Sequence, residues 1–412
     1  MNKPAGVSRG ARMLDAVREV GAERLKFIGV ITGGHFFIHW FQQFYPVVLP
    51  SIKAGLGLSD VQVGALNSAR NFTQGTLDLP SGMLADAAVR HRGLILASAL
   101  ASMGAAYFLM GIAPAFFWAL VASGLVGLGT ALWHPAASAS LSNRFPERRA
   151  TALAVHGMGA TIGDTLTPLG AGLLLVAFHW ESVLALQLVP ALVLGYLVWR
   201  GLAGFFVGSK SRPWRAAELR EVYDLARNRL FLGICLATAF LQMGRVTVST
   251  FLPIYIQEHL GYSPGGLGVY FALLHAMGTI SQPVMGHLSD RFGRKAVLLP
   301  SFIALGILFF LLAVAAPGVP LALVVSAIGL FFYTLINVTN AATMDVAGAN
   351  IQASSFGLAS LVTQILIIPT PIAAGYMIGV YGILSVFWLS GIFLLLGAAT
   401  LVPLRLYRGT GK

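Results

Sequence analysis

Arg70, Asp78, Asp164 and Arg245 stand inside long apolar runs of the chain. An ionisable side chain in such surroundings costs roughly 2.5–3.5 kcal/mol to insert into a bilayer, so its retention points to a site. Arginine forms paired bonds to carboxylate or phosphonate oxygens. Arg70 and Arg245, with Gln242 on the same helical face as Arg245, are therefore expected to bind the anionic group of a substrate. The bland alternative is that each arginine is permanently neutralised, Arg70 by Asp78 or Asp164. His35 and His39 are spaced i, i+4 and share a face with Gln42 and Gln43 a turn further on. They join the expected substrate set, as does Asn337. Asp164, Asp78, His134 and His156 are the expected proton-coupling groups, because histidine changes charge near neutral pH and a buried carboxyl can trade a proton. For any one histidine, including His275, the competing reading is a neutral ring bonded to a backbone carbonyl. Gln282, Asn340, Gln364 and Tyr333 could add to the walls, although polar residues on buried helices more often glue helices together.

The elements that hold these residues follow from composition. Of 412 residues 57% are hydrophobic and 10% charged, against about 25% charged in soluble domains. A bilayer core takes roughly 20 apolar residues per helix. Twelve such spans are expected, at 27–50, 59–85, 93–113, 116–141, 150–178, 182–203, 230–257, 264–288, 296–316, 320–345, 352–379 and 382–404. The fold class is thus an all-α membrane protein. One long polar stretch, Gly204 to Asn228, divides it near the middle. The expected organisation is a cytoplasmic amphipathic arm over 1–25, a six-helix bundle over 26–203, a cytoplasmic linker over 204–228, a second bundle over 229–405 and a cytoplasmic tail over 406–412. The arm is too charged for the apolar core of a signal peptide.

Twenty-four of the 27 Lys and Arg fall on one side of this arrangement. The positive-inside bias then places both termini in the cytoplasm, and it also accounts for the net charge of +12 without nucleic acid. At 1.5 Å per residue, Arg70 lies roughly 16 Å below the outer end of span two. Asp164 lies roughly 21 Å above the inner end of span five, with Arg245 at a similar height in span seven. The two arginines can face one central cavity.

The halves repeat at an offset of 204 residues. Leu56-Gly57-Leu58-Ser59 returns as Leu260-Gly261-Tyr262-Ser263, Gly64 as Gly268, Gly82 as Gly286 and Asp86 as Asp290. Duplicated halves around a midplane site are the plan of many secondary transporters.

Gly286-His287-Leu288-Ser289-Asp290-Arg291-Phe292-Gly293-Arg294-Lys295 resembles the loop signature of the major facilitator superfamily. The resemblance implies the major facilitator fold, two pseudo-symmetric six-helix bundles. It also implies a conformational gate at Gly286, Asp290, Arg291, Gly293 and Arg294. The N-terminal copy keeps Gly82 and Asp86 but lacks the arginine after Asp86, leaving Arg90 and Arg92 to substitute. Leu49-Pro50, Trp133-His134-Pro135-Ala136 and the glycine-rich span five are similar to the fosmidomycin-resistance-like branch, which implies proton-driven export of small drugs. Gly163-Asp164-Thr165-Leu166-Thr167-Pro168 resembles the glycine–proline motif of drug–proton antiporters, with Pro369-Thr370-Pro371 and Gly375 as the equivalent in span eleven.

The expected function is a proton-coupled exporter of a small anionic or amphiphilic solute, working by alternating access in a bacterial inner membrane. The alternative is an uptake symporter for an organic anion. An intramembrane enzyme is remote, since HExxH, GxSxG and CxxC are absent, and the absence of GxxxxGK[ST] argues against ATP as the driver. A single cysteine, Cys235, precludes an intrachain disulfide and a multi-cysteine zinc site. No metal and no cofactor are expected. The expected partners are the solute, protons and lipid, with the chain as a monomer.

Overall fold

The computed structural model describes residues 21–206, 216–347 and 352–406. The first bundle is built from α1 (Ala22–Leu56), α2 (Asp60–Ala87), α3 (Arg92–Gly111), α4 (Phe116–Arg144), α5 (Arg149–Ala177) and a broken sixth span, α6 (Trp180–Leu186) and α7 (Leu188–Gly201). The helix α8 (Ala216–Ala226) occupies part of the polar stretch. The second bundle comprises α9 (Arg229–Ile254), which runs on through a π-turn at Tyr255–His259, α10 (Pro264–Phe292) and α11 (Arg294–Leu312). Two broken spans follow, α12 (Val319–Phe332) with α13 (Thr334–Val346) and α14 (Gln352–Ile367) with α15 (Thr370–Tyr381), and α16 (Ser385–Leu401) closes it. The described residues form twelve spans in two bundles. The expected arm helix over 11–25 lies outside the described residues up to residue 20, as do 207–215 of the linker and 407–412 of the tail.

The repeated Leu-Gly-x-Ser segments are the same turn made twice. Gly57 (φ 61°) and Gly261 (φ 71°) take the left-handed conformation that ends a helix. Two residues later a serine opens the next helix. The Ser59 side chain accepts from the Gln62 amide at 3.3 Å, and that of Ser263 from the Gly266 amide at 3.2 Å. The duplication has preserved the cap chemistry that folds each hairpin.

Eight helical stretches among the described residues are long and apolar enough to cross a bilayer, and α16 is a shorter apolar one. The remaining three spans, α1, α2 and α10, fall outside that group. They carry much of the polar lining of the central cavity, which explains their lower apolarity.

The bundles meet at one end by backbone-close crossings. A Cβ at Gly64 would lie 2.1 Å from the Pro371 carbonyl oxygen, and one at Gly268 2.3 Å from that of Pro168. Gly375 sits likewise against Asp60, and Gly172 against Pro264. Span two thus crosses span eleven, and span eight crosses span five, through corresponding residues of the two halves. At the other end the ion pairs of the two glycine–aspartate loops stay within their own bundles. Asp290 pairs with Arg294 at 2.5 Å, and Arg294 also pairs with Asp345 at 2.9 Å. In the first half Arg92 takes the missing arginine's place, bonding Asp86 at 3.1 Å and the Ala85 carbonyl at 2.8 Å.

Candidate functional site

Between the bundles lies a cavity of about 300 Å³. The first bundle contributes Gln42, Gln43, Asn67, Arg70, Asn71 and Gln74, and the second contributes Gln242, Arg245, Ser249, His275, Tyr333 and Gln364. Asn67, Arg70, Asn71 and Gln74 fall at i, i+3, i+4 and i+7, one helix face. This stripe is visible in the sequence as a 3.6-residue period of polar side chains. Of the four only Arg70 is charged, and that charge is what marks it in the sequence.

The two arginines are held by aromatic rings. Arg70 lies over Tyr45, 5.6 Å from its centroid, and Arg245 lies over Phe332 at 4.4 Å and Tyr333 at 4.9 Å. Such cation–π contacts steady a guanidinium without consuming its N–H donors. Arg245 Nη1 donates to Gln242 Oε1 at 2.5 Å. The Nε atoms of both arginines are buried and without a partner. Among the described residues no carboxylate forms an ion pair with either, so Asp78 and Asp164 do not neutralise Arg70 as a permanent bridge. Unpaired donors aimed at a polar cavity are an arrangement fitted to an anion.

Asp164 is instead engaged inside the first bundle. His39 Nδ1 donates to its Oδ1 at 2.8 Å, and Gln43 Nε2 donates to the same oxygen at 2.9 Å. Gln43 also reaches the Tyr333 hydroxyl at 3.4 Å. A polar chain therefore runs from His39 through Asp164, Gln43 and Tyr333 to Arg245, crossing the seam between the halves. Only part of it was anticipated: Asp164 was expected beside His134 and His156, and its direct partner is His39.

His35, His39, His134 and His156 form one cluster beside this chain. The His35 and His156 rings stack at 3.7 Å, and the His35 and His134 centroids are 5.3 Å apart. His35 and His39 are thus not among the residues lining the cavity. Asn337 is also elsewhere, exposed and bonded to Gln282 at 3.1 Å. Asp78 is half-buried on α2, where the hydroxyl of Ser360 in the other bundle is its hydrogen-bonding neighbour. His275 lines the cavity with both ring nitrogens unpartnered. Gly82, Asp86, Gly286, Asp290, Arg291, Gly293 and Arg294 lie at the loop end described above.

The sequence pattern of the Major Facilitator Superfamily matches residues 31–280 and 234–410. The chain belongs to this superfamily. Its family and fold are those of membrane transporters and not of enzymes, and the chain is a multi-pass membrane protein. It is 26% identical over 413 residues to the probable sulfoacetate transporter of Cupriavidus necator, covering 91% of this chain and 92% of the relative. It is 29% identical over 270 residues to an efflux pump of Mycolicibacterium smegmatis, a match spanning 63% of this chain and 61% of that relative. It is 21% identical over 277 residues to the fosmidomycin resistance protein of Escherichia coli, covering 66% of each. Among solved structures, a bacterial homolog of the lysosomal transporter Spinster, inward-facing and unoccupied, superposes with a TM-score of 0.74 at 17% identity, covering 92% of this chain and 96% of that one. A peptide transporter in complex with sulfate superposes with a TM-score of 0.73 at 16% identity, covering 91% and 94%. These two likenesses show the fold alone.

Proposed function

We propose that this superfamily member is a proton-coupled exporter of a small organic anion, in a bacterial inner membrane with both termini cytoplasmic. One observation carries the substrate class. Arg70 and Arg245, one from each bundle, flank a single amide-rich cavity, and neither has a carboxylate partner among the described residues. A fixed pair of cations there would be costly without a compensating charge, and a carboxylate, sulfonate or phosphonate on the solute supplies it. The probable sulfoacetate transporter, matched along nearly its whole length, fits the same substrate class. Alternating access follows from the duplicated bundles. With the termini cytoplasmic, the glycine crossings close the outer side and the cavity is reached from the cytoplasm. An ion gradient is the energy source, since the sequence carries no nucleotide-binding loop, and protons are the proposed ion.

Counterflow in proteoliposomes under an imposed pH gradient tests this. Exchange of a labelled organic anion, accumulating on the acidic side, is the expected result. Accumulation together with inward-moving protons would favour uptake symport, the second reading, which the same arginines serve. Saturable transport of cations with no competition by anions would overturn the substrate class.

A further inference from the structure

One side-chain cluster in the first bundle has no part in binding an anion. A ring nitrogen from each of His35, His39 and His134 lies within 4.8 Å of the other two. In each ring Nδ1 is already engaged. His39 donates it to Asp164 Oδ1 at 2.8 Å, His35 to the His156 carbonyl at 2.9 Å and His134 to the Thr130 carbonyl at 2.9 Å. Carboxylate and carbonyl oxygens only accept, so the proton of each neutral ring sits on Nδ1 and Nε2 is a bare lone pair. His35 Nε2 and His134 Nε2 face each other at 3.5 Å. Two lone pairs at that spacing repel, and a cation between them removes the repulsion.

The spacing is that of a metal site. Zinc–nitrogen bonds of about 2.0–2.1 Å in a tetrahedral site set the ligands about 3.3–3.4 Å apart. The edge from His35 to His134, at 3.5 Å, is close to this length, and a ring nitrogen of His39 lies within 4.8 Å of both. The shell outside the rings fits as well. Metal-binding imidazoles donate their other nitrogen to a carboxylate or backbone carbonyl, which fixes tautomer and orientation. Here all three do.

We propose that His35, His39 and His134 hold one divalent transition-metal ion of the zinc class through Nε2, with Asp164 orienting His39. Imidazole donors select zinc, copper or nickel over magnesium and calcium. The ligands come from α1 and α4, and Asp164 from α5, all in one bundle. An ion held this way moves with that bundle and does not cross the seam, so it is a resident ion and not the cargo of the arginine-lined cavity.

Chelator-stripped full-length protein in nanodiscs, titrated with Zn²⁺ against a fluorescent zinc indicator, tests the assignment. One Zn²⁺ per chain is expected. Binding should weaken at least about 100-fold in His35→Ala and His134→Ala, and about 10–100-fold in Asp164→Asn, which keeps every imidazole but loses the orienting carboxylate. Replacing the exposed His91, His179, His259 and His287 by alanine should leave it unchanged. Melting without zinc reports whether each variant folds, and Zn²⁺ should raise the melting temperature of the wild type and of the surface-histidine variant but not of His35→Ala or His134→Ala. Absence of stoichiometric binding in the wild type, or its survival in the His35→Ala, His39→Ala, His134→Ala triple variant, overturns the site. Zinc accumulating inside proteoliposomes would overturn its resident character. Neither readout involves the transported anion, so failure here and failure of the proposed transport activity are separable.

Discussion

Lys53 Nζ stands 2.6 Å from Glu258 Oε2 and 2.8 Å from Asp60 Oδ1. Asp60 opens α2 of the first bundle and Glu258 belongs to the second, so one ammonium ties the bundles together where the cavity is closed. Lys53 is the lone Lys or Arg on the outer side of the expected topology. Replacing it with glutamine leaves two carboxylates facing each other without a counter-charge. Lys53→Gln should shift the population about tenfold towards opening at this end, equivalent to about 1.4 kcal/mol. Labelling of Ser249→Cys, a cavity position, by an impermeant maleimide in a Cys235→Ala background measures it. Adding Glu258→Gln should reverse the gain. Unchanged labelling would reduce the triad to an ordinary surface ion pair, worth about 0–1 kcal/mol.

The glycine crossings make a stronger demand on the same end. At Gly64 and Gly268 the atoms a methyl group would meet are backbone carbonyls, which cannot swing aside as a flexible side chain does. Gly268→Ala should therefore separate spans eight and five, and Gly64→Ala spans two and eleven. Either variant should lower transport at least about tenfold and raise maleimide labelling of Ser249→Cys, because the closed state loses its close approach. The two should behave alike, since they are the same crossing in the two halves. A normal transport rate in both would show that the seam can close at a wider spacing.

Arg70 and Arg245 carry the proposed substrate contact and can be tested one at a time. Arg245→Gln keeps an amide donor but removes the charge. Binding of an anionic substrate should weaken by about 2–5 kcal/mol, as for loss of one partner from a buried charge pair. Arg70→Gln should act in the same direction. Isothermal titration with the anion identified by counterflow checks both, and a neutral analogue of that compound should lose far less. Equal losses for charged and neutral ligands would make the arginines structural.

Much of this arrangement is legible in the sequence because duplication and bilayer thickness leave one-dimensional traces. The offset of 204 linking Gly64 to Gly268 places both crossings, and the apolar runs place the spans. The breaks at Gln187 and Tyr333 are not legible, since neither residue is a helix breaker. Gln187 is held by one tertiary and one local contact, its side chain accepting from Trp40 Nε1 at 3.2 Å and donating to the Val183 carbonyl of the preceding turn at 3.1 Å. The pairing of Asp164 with His39 escaped for a related reason. Spacing along one helix brings His35 to His39, but which neighbouring helix turns its carboxylate towards them is decided by packing. Gly163 fixes that packing, for a Cβ there would lie 2.6 Å from the Phe36 carbonyl oxygen.

The loop cluster lies at the end of the bundles opposite the glycine crossings. Arg294 is shared between Asp290 on α10 and Asp345 on α13, so it ties span eight to span ten within the second bundle. Neither carboxylate lies in the cavity. Asp290→Asn should slow turnover several-fold with little change in substrate affinity, because it weakens a brace that must hold through the rocking cycle and touches no ligand. Asp345→Asn should do the same, and the double variant should be no slower than the worse single one, since both act through one guanidinium. Exchange rates and binding constants measured on the same preparations separate the two effects. A large loss of affinity in either variant would place the cluster in the binding path, and additive slowing would mean that the two carboxylates act independently of Arg294.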